Sequence, residues 1–285
     1  MLTATRKNMI MTGGSRRIDK MLNGLHKALG GTDKTIGRIA NITLALPIVA
    51  ISLIGFSAQP GEAAETTIEQ MPAKLETQFA LSALPPALRD QASVYLLDPK
   101  TGYQLSRQGT SGLTCLVERT VWELSDFRND IYIPLCYDAV GTSSYLEVIM
   151  DAARLRAQGM TSAALKAEIE NRYRNKTYKI PEKAGLSYMV GPAGPPDMKV
   201  HTMPMPHLMF YAPNITNEDI GALPNLSVHS SLLYPFIDKQ GIAEQSYMIQ
   251  LIGEAEKATI LADEKALLYD LCAYRDVLCL PHTEH

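Results

Sequence analysis

Residues 198–211 read MKVHTMPMPHLMFY, with His201, Met203, Met205, His207 and Met209 at alternate positions. In a strand, alternate side chains share one face. Thioether and imidazole together form the donor set of copper sites outside the cytoplasm. Spacing restricts this chemistry. His201 and His207 are six residues apart, roughly 20 Å along a strand, too far to share one ion. Met205, His207 and Met209 are the neighbours able to converge, each about 6.6 Å from the next at that rise. Copper at these three residues is therefore the metal expectation. Pro204 and Pro206 oppose it, because polyproline II geometry would spread the side chains in different directions. The plainer expectation is an edge strand whose methionines fill gaps in a core.

His207 also supports a second chemistry. Pro206 stiffens the backbone on its amino side. With Tyr211, or with a carboxylate from Asp138 or Glu118, its imidazole could act as a general acid or base, as in an exported hydrolase. The motifs that would name a reaction are missing: there is no G-x-S-x-G, S-x-x-K, H-E-x-x-H, P-loop or G-x-G-x-x-G pattern. The expectation is thus a binding or structural protein with segment 198–211 as its ligand site, and the alternative is an enzyme using His207 with Tyr211. The ligand would be a small molecule or a metal.

The compartment comes from the amino end. Residues 42–56 (ITLALPIVAISLIGF) carry no charge, follow a basic leader and precede the small-residue stretch SAQPGEAAE. As a helix this run would be about 22 Å long, short for a bilayer core of about 30 Å, and Pro47 interrupts it. It fits a cleaved signal with processing before Ala64, or an uncleaved N-terminal membrane anchor. Eight of the 27 Lys and Arg and three of the 30 Asp and Glu fall before residue 64, leaving 19 basic against 27 acidic residues beyond it. A net charge near −8 argues against a nucleic-acid surface, which needs clustered cations to release counterions. The resulting expectation is an exported, periplasmic or extracellular protein.

Cys115, Cys136, Cys272 and Cys279 all lie past the leader. Four cysteines admit three pairings. Local pairing, Cys115 with Cys136 and Cys272 with Cys279, is preferred because each pair brackets one supersecondary unit. Neither spacing has the short CxxC form that gathers thiolates on zinc.

The elements that must position these residues read as follows. Residues 1–63 are leader and signal or anchor, 64–92 a helical tether or first helix, and 93–285 one globular domain. SVYLLD and YQLSRQ flank DPKTG as a hairpin. Strands are expected over 113–122 and 130–137, the latter at an edge or bulge because of Pro134. Two helices over 143–158 and 161–173 follow, with Thr161 or Ser162 as a cap and Leu165, Ile169 and Tyr173 on one side. An extended region over 198–211, a strand at 247–251 and a long helix over 254–274 complete an α+β fold, a mainly antiparallel sheet with flanking helices.

Overall fold

The structure, a computed structural model, describes residues 68–191, 206–225, 228–239 and 241–279. The leader, the apolar run at 42–56, His201, Met203 and Met205 lie outside them.

Pro72 takes the N-cap position with φ −57°, and helix α1 (Ala73–Ser82) begins behind it. Its Leu75 and Phe79, one turn apart, are buried, and so is Glu76 between them. The pair Pro85–Pro86 follows α1, and Pro86 opens the single turn α2 (Pro86–Arg89), where a missing N–H has no intrahelical role. Strands β1 (Ser93–Asp98) and β2 (Gly102–Arg107) then form the expected hairpin. Asp98 accepts the Lys100 N–H at 2.7 Å, and Gly102 supplies a φ of +89° that other residues resist.

Strands β3 (Thr114–Glu118) and β4 (Ile133–Tyr137) come next, followed by α3 (Ala139–Thr142), α4 (Tyr145–Ala157) and α5 (Ser162–Arg174). Thr161 caps α5, accepting the Ala164 N–H at 3.4 Å, and Leu165 and Ile169 beneath it are fully buried. The chain continues through β5 (Leu186–Met189), β6 (His207–Tyr211), β7 (Phe236–Lys239) and β8 (Ser246–Leu251), then α6 (Glu254–Asp263) and α7 (Lys265–Tyr274). The eight strands form one sheet in the order β2-β1-β3-β4-β5-β6-β8-β7. The α+β fold is mixed in one place: β1 and β3 run parallel at Ser93–Thr114 and Val94–Cys115, while every other neighbouring pair is antiparallel.

Each face of the sheet carries its own core. One face buries Cys115, Val117 and Cys136 against Phe79 of α1 and Leu267 and Leu271 of α7. The other presents Leu116, Leu135, Met189, Met209 and Ile249 to Leu146 and Ile149 of α4. Alternation along β3 and β4 sends neighbouring residues to opposite cores, which is why both strands are buried throughout.

Both local disulfides form. Cys115 and Cys136 face each other across β3 and β4 with Cα atoms 4.1 Å apart, and Cys272 closes on Cys279 just past α7.

Three expectations need correction. Pro134 is in an interior strand, opposite Val117 and in phase with the Cys115–Cys136 pair. Its nitrogen therefore points away from β3, and β5 pairs β4 only at Cys136 and Tyr137, so no ladder bond is lost. The strand expected over 113–122 ends at Glu118, and Trp122 lies in a 3-10 turn, Trp122–Leu124. The helix over 254–274 divides at Glu264, whose carboxylate lies 2.5 Å from the Arg89 guanidinium. Of Ile260, Leu261, Leu267, Leu268 and Leu271, only Leu267 and Leu271 are buried.

Candidate functional site

Strand β6 alternates as its sequence predicts. His207, Met209 and Tyr211 turn inward while Phe210 is exposed. Register carries this face across the sheet: Met189 lies beside His207, Leu251 on its other side, and Tyr247 pairs with both Tyr211 and Asp238. Between this face and α4 lies a cavity of about 70 Å³. Its wall includes His207, Met209, Glu118, Glu123, Asp238 and Gln245, with Tyr137, Tyr145, Tyr247 and Trp122. A single water needs about 10–15 Å³ of such space, so the cavity has room for several.

The segment between β3 and β4 brings Trp122 and Glu123 to this wall, and two buried arginines hold it. Arg119 donates through Nε to the Ile131 carbonyl at 2.6 Å, and its guanidinium lies 3.6 Å from the Tyr132 ring centroid. From α4, Arg156 donates to the Arg119 carbonyl at 3.1 Å and to Asn129 Oδ1 at 2.7 Å. Lys166 of α5 donates to the Glu123 carbonyl at 2.8 Å. The far end of the sheet curls to meet this segment. A Cβ at Gly241, just past β7, would fall 2.6 Å from Glu123 Cγ and 3.1 Å from the Trp122 ring. Gly241 also has φ +74°, so conformation and space both require glycine there.

Burial governs the electrostatics. It raises the Glu118 carboxyl well above its ordinary range, and the negative charge of Glu123 adds to the shift. Burial likewise pushes Glu123 up to about 7, against a lowering by its own backbone hydrogen bond and by Lys166. Burial also pushes the Tyr137 and Tyr247 hydroxyls up; the two lie 3.0 Å apart. Gln245 is 4% exposed, and its Oε1 is buried without a hydrogen-bond partner. A buried acceptor in that state invites a donor.

Tyr211 belongs to another structure. It sits four residues beyond His207 on β6, about 13 Å along the strand. Its hydroxyl is 2.9 Å from both Asp138 Oδ1 and the Leu186 carbonyl. Asp138 also accepts the Gly141 and Leu186 N–H groups at 2.8 and 2.9 Å. A Cβ at Gly141 would lie 2.0 Å from the Tyr211 hydroxyl, and one at Gly185 would lie 2.4 Å from its ring. Tyr211 thus locks β5 and β6 to the turn after β4.

The structure brings His207, Met209 and Glu118 to one cavity and leaves Tyr211 and Asp138 out of its wall. Of the three copper candidates, His207 and Met209 reach this wall, and Met205 is outside the described residues. No group of three His, Cys, Asp or Glu among the described residues is placed to hold a metal. Glu123, Asp238, Gln245 and the three tyrosines are the residues sequence reasoning missed. One faint signal existed: Asp238 interrupts an apolar strand at an inward position. No family model matches the chain, and no curated protein and no solved structure is significantly similar to it.

Proposed function

We propose that this chain is an exported binding protein whose ligand site is the cavity between α4 and the inner face of the sheet. The observation carrying the reading is that one interior space is lined by His207, three carboxylic side chains and Gln245, whose Oε1 has no hydrogen-bond partner. Interiors normally close such space with apolar side chains and leave no orphan acceptor. Export is supported by the two local disulfides and by the leader composition, since stable disulfides belong to oxidising compartments. No helix among the described residues is long and apolar enough to cross a membrane.

The test is thermal denaturation of the purified protein against a panel of small neutral, cationic and anionic compounds. Members that bind will raise the midpoint in a concentration-dependent way. If no compound of any class does so, the site reading falls.

A second reading is acid/base catalysis. One observation favours it: Glu123, shifted to about 7, shares the cavity with His207, and groups titrating near the working pH make effective general acids. It predicts turnover of small esters or amides, abolished by His207→Ala with folding retained.

A further inference from the structure

We infer that the cavity takes a small organic cation, a primary or secondary ammonium of a few heavy atoms. The inference rests on the cavity being a ligand site, and it names the ligand class.

Glu118, Glu123 and Asp238 line the space, and neither lysine nor arginine does. An anion would meet three carboxyl groups against a single imidazole, that of His207, so acids and phosphates are disfavoured. A hydrocarbon would leave Gln245 Oε1 unsatisfied, since that atom is an acceptor. An ammonium head satisfies both conditions: its N–H groups donate to Gln245 Oε1 and to a carboxylate, and its charge pairs with the latter. The alkyl part has a complementary wall in Ile133, Leu135, Met189 and Ile249. Tyr137, Tyr145 and Tyr247 line the same space with aromatic rings. Tyr145 and Tyr247 have ring centroids 4.5 Å apart, and Tyr137 stacks at 6.3 Å from Tyr145, so this aromatic wall is continuous.

The raised glutamates fit this role. Without a counter-charge, burial favours their protonated forms. An entering ammonium stabilises the carboxylate, so binding expels a proton and strengthens with rising pH. The groups sharing the wall are His207 on β6, Asp238 on β7, and the tyrosines on β4, α4 and β8. The Lys166 ammonium approaches Glu123 from α5, hydrogen-bonded to its backbone carbonyl.

Trp122 is the sole tryptophan of the chain and lies in the cavity wall, so its emission reports occupancy. Full-length protein with both disulfides intact is titrated with propylammonium, propan-1-ol and propionate at about pH 8, with calorimetry for stoichiometry. The expected result is one saturable propylammonium site, propanol at least about tenfold weaker, and no response to propionate. Glu118→Gln with Glu123→Gln should narrow the preference for propylammonium over propan-1-ol by about tenfold or more. Alcohol or acid binding as tightly as the ammonium overturns the cation inference and leaves a ligand site standing. No response to any of the three compounds or to the thermal panel removes both. The comparison of ligands on the unmodified protein holds whether or not the double variant folds.

Discussion

Glu76 supplies a pH test of the fold. It lies on the buried side of α1 at 2% exposure, and one carboxyl oxygen accepts the Leu97 N–H of β1 at 2.8 Å. Burial raises its pKa from the ordinary 4.5 to about 7, with the Leu97 bond and the charge of Arg119 opposing only in part. In the unfolded chain the group ionises near its ordinary value. Between these two values the native state holds a proton that the unfolded state has lost. The associated stability is therefore complete below about pH 4.5 and lost as pH rises through about 7. The difference between 4.5 and about 7 corresponds to about 3 kcal/mol. Glu76→Gln keeps an acceptor for Leu97 and removes the titration. The variant should match the parent near pH 4.5 and exceed it by about 3 kcal/mol at pH 8. In urea, with m of roughly 1–3 kcal/mol per molar, the midpoint moves by about 1 M or more. Glu118 and Glu123 titrate in both proteins and cancel from the difference. Parallel pH profiles for parent and variant across pH 5–8 would refute the reasoning.

Four other outcomes are expected. Replacing Cys115 and Cys136 with alanine should lower stability by about 3 kcal/mol, and replacing Cys272 and Cys279 by about 2.5 kcal/mol, from loops spanning separations of 21 and 7 residues; denaturant titration reads both. Tyr211→Phe removes the hydroxyl shared by Asp138 and Leu186, costing about 1–3 kcal/mol, and leaves small-molecule binding intact because Tyr211 is outside the cavity wall. Gly241→Ala forces a side chain onto a φ of +74° and against Glu123; it should destabilise by about 1–3 kcal/mol and shift Trp122 emission. Ammonium affinity should rise with pH and level off once Glu123 has passed its midpoint of about 7; calorimetry in buffers of different ionisation enthalpy will show the released proton.

Much of this fold can be read from local pattern because the determinants are local. The turn chemistry of Asp98 to Gly102, the Thr161 cap, the alternation of His207 and Met209, and the bracketing of each cysteine pair all act within a few residues. Pro134 misleads because an edge position is inferred from a missing N–H, whereas the ladder of β5 simply stops short of it. At the break in the C-terminal helix, Glu264 pairs with Arg89, far away in sequence. The cavity is hidden for the same reason. Glu118, Glu123, Asp238 and Gln245 meet only after the sheet has curled enough to set Gly241 against Trp122. Sequence spacing contains no record of that curvature, so His207, Met209 and Glu118 are found while Glu123, Asp238 and Gln245 are not.

Methionine methyl resonances report most directly on where a ligand sits. Met189 and Met209 line the interior cavity, while Met248 lines a surface hollow beside Leu223 and Tyr234. With 13C-methyl-methionine protein titrated with propylammonium, the Met189 and Met209 signals should shift together and saturate, and Met71, Met160 and Met248 should stay fixed. Movement confined to Met248, or no movement at all at concentrations that fill other amine sites, would contradict an interior binding site.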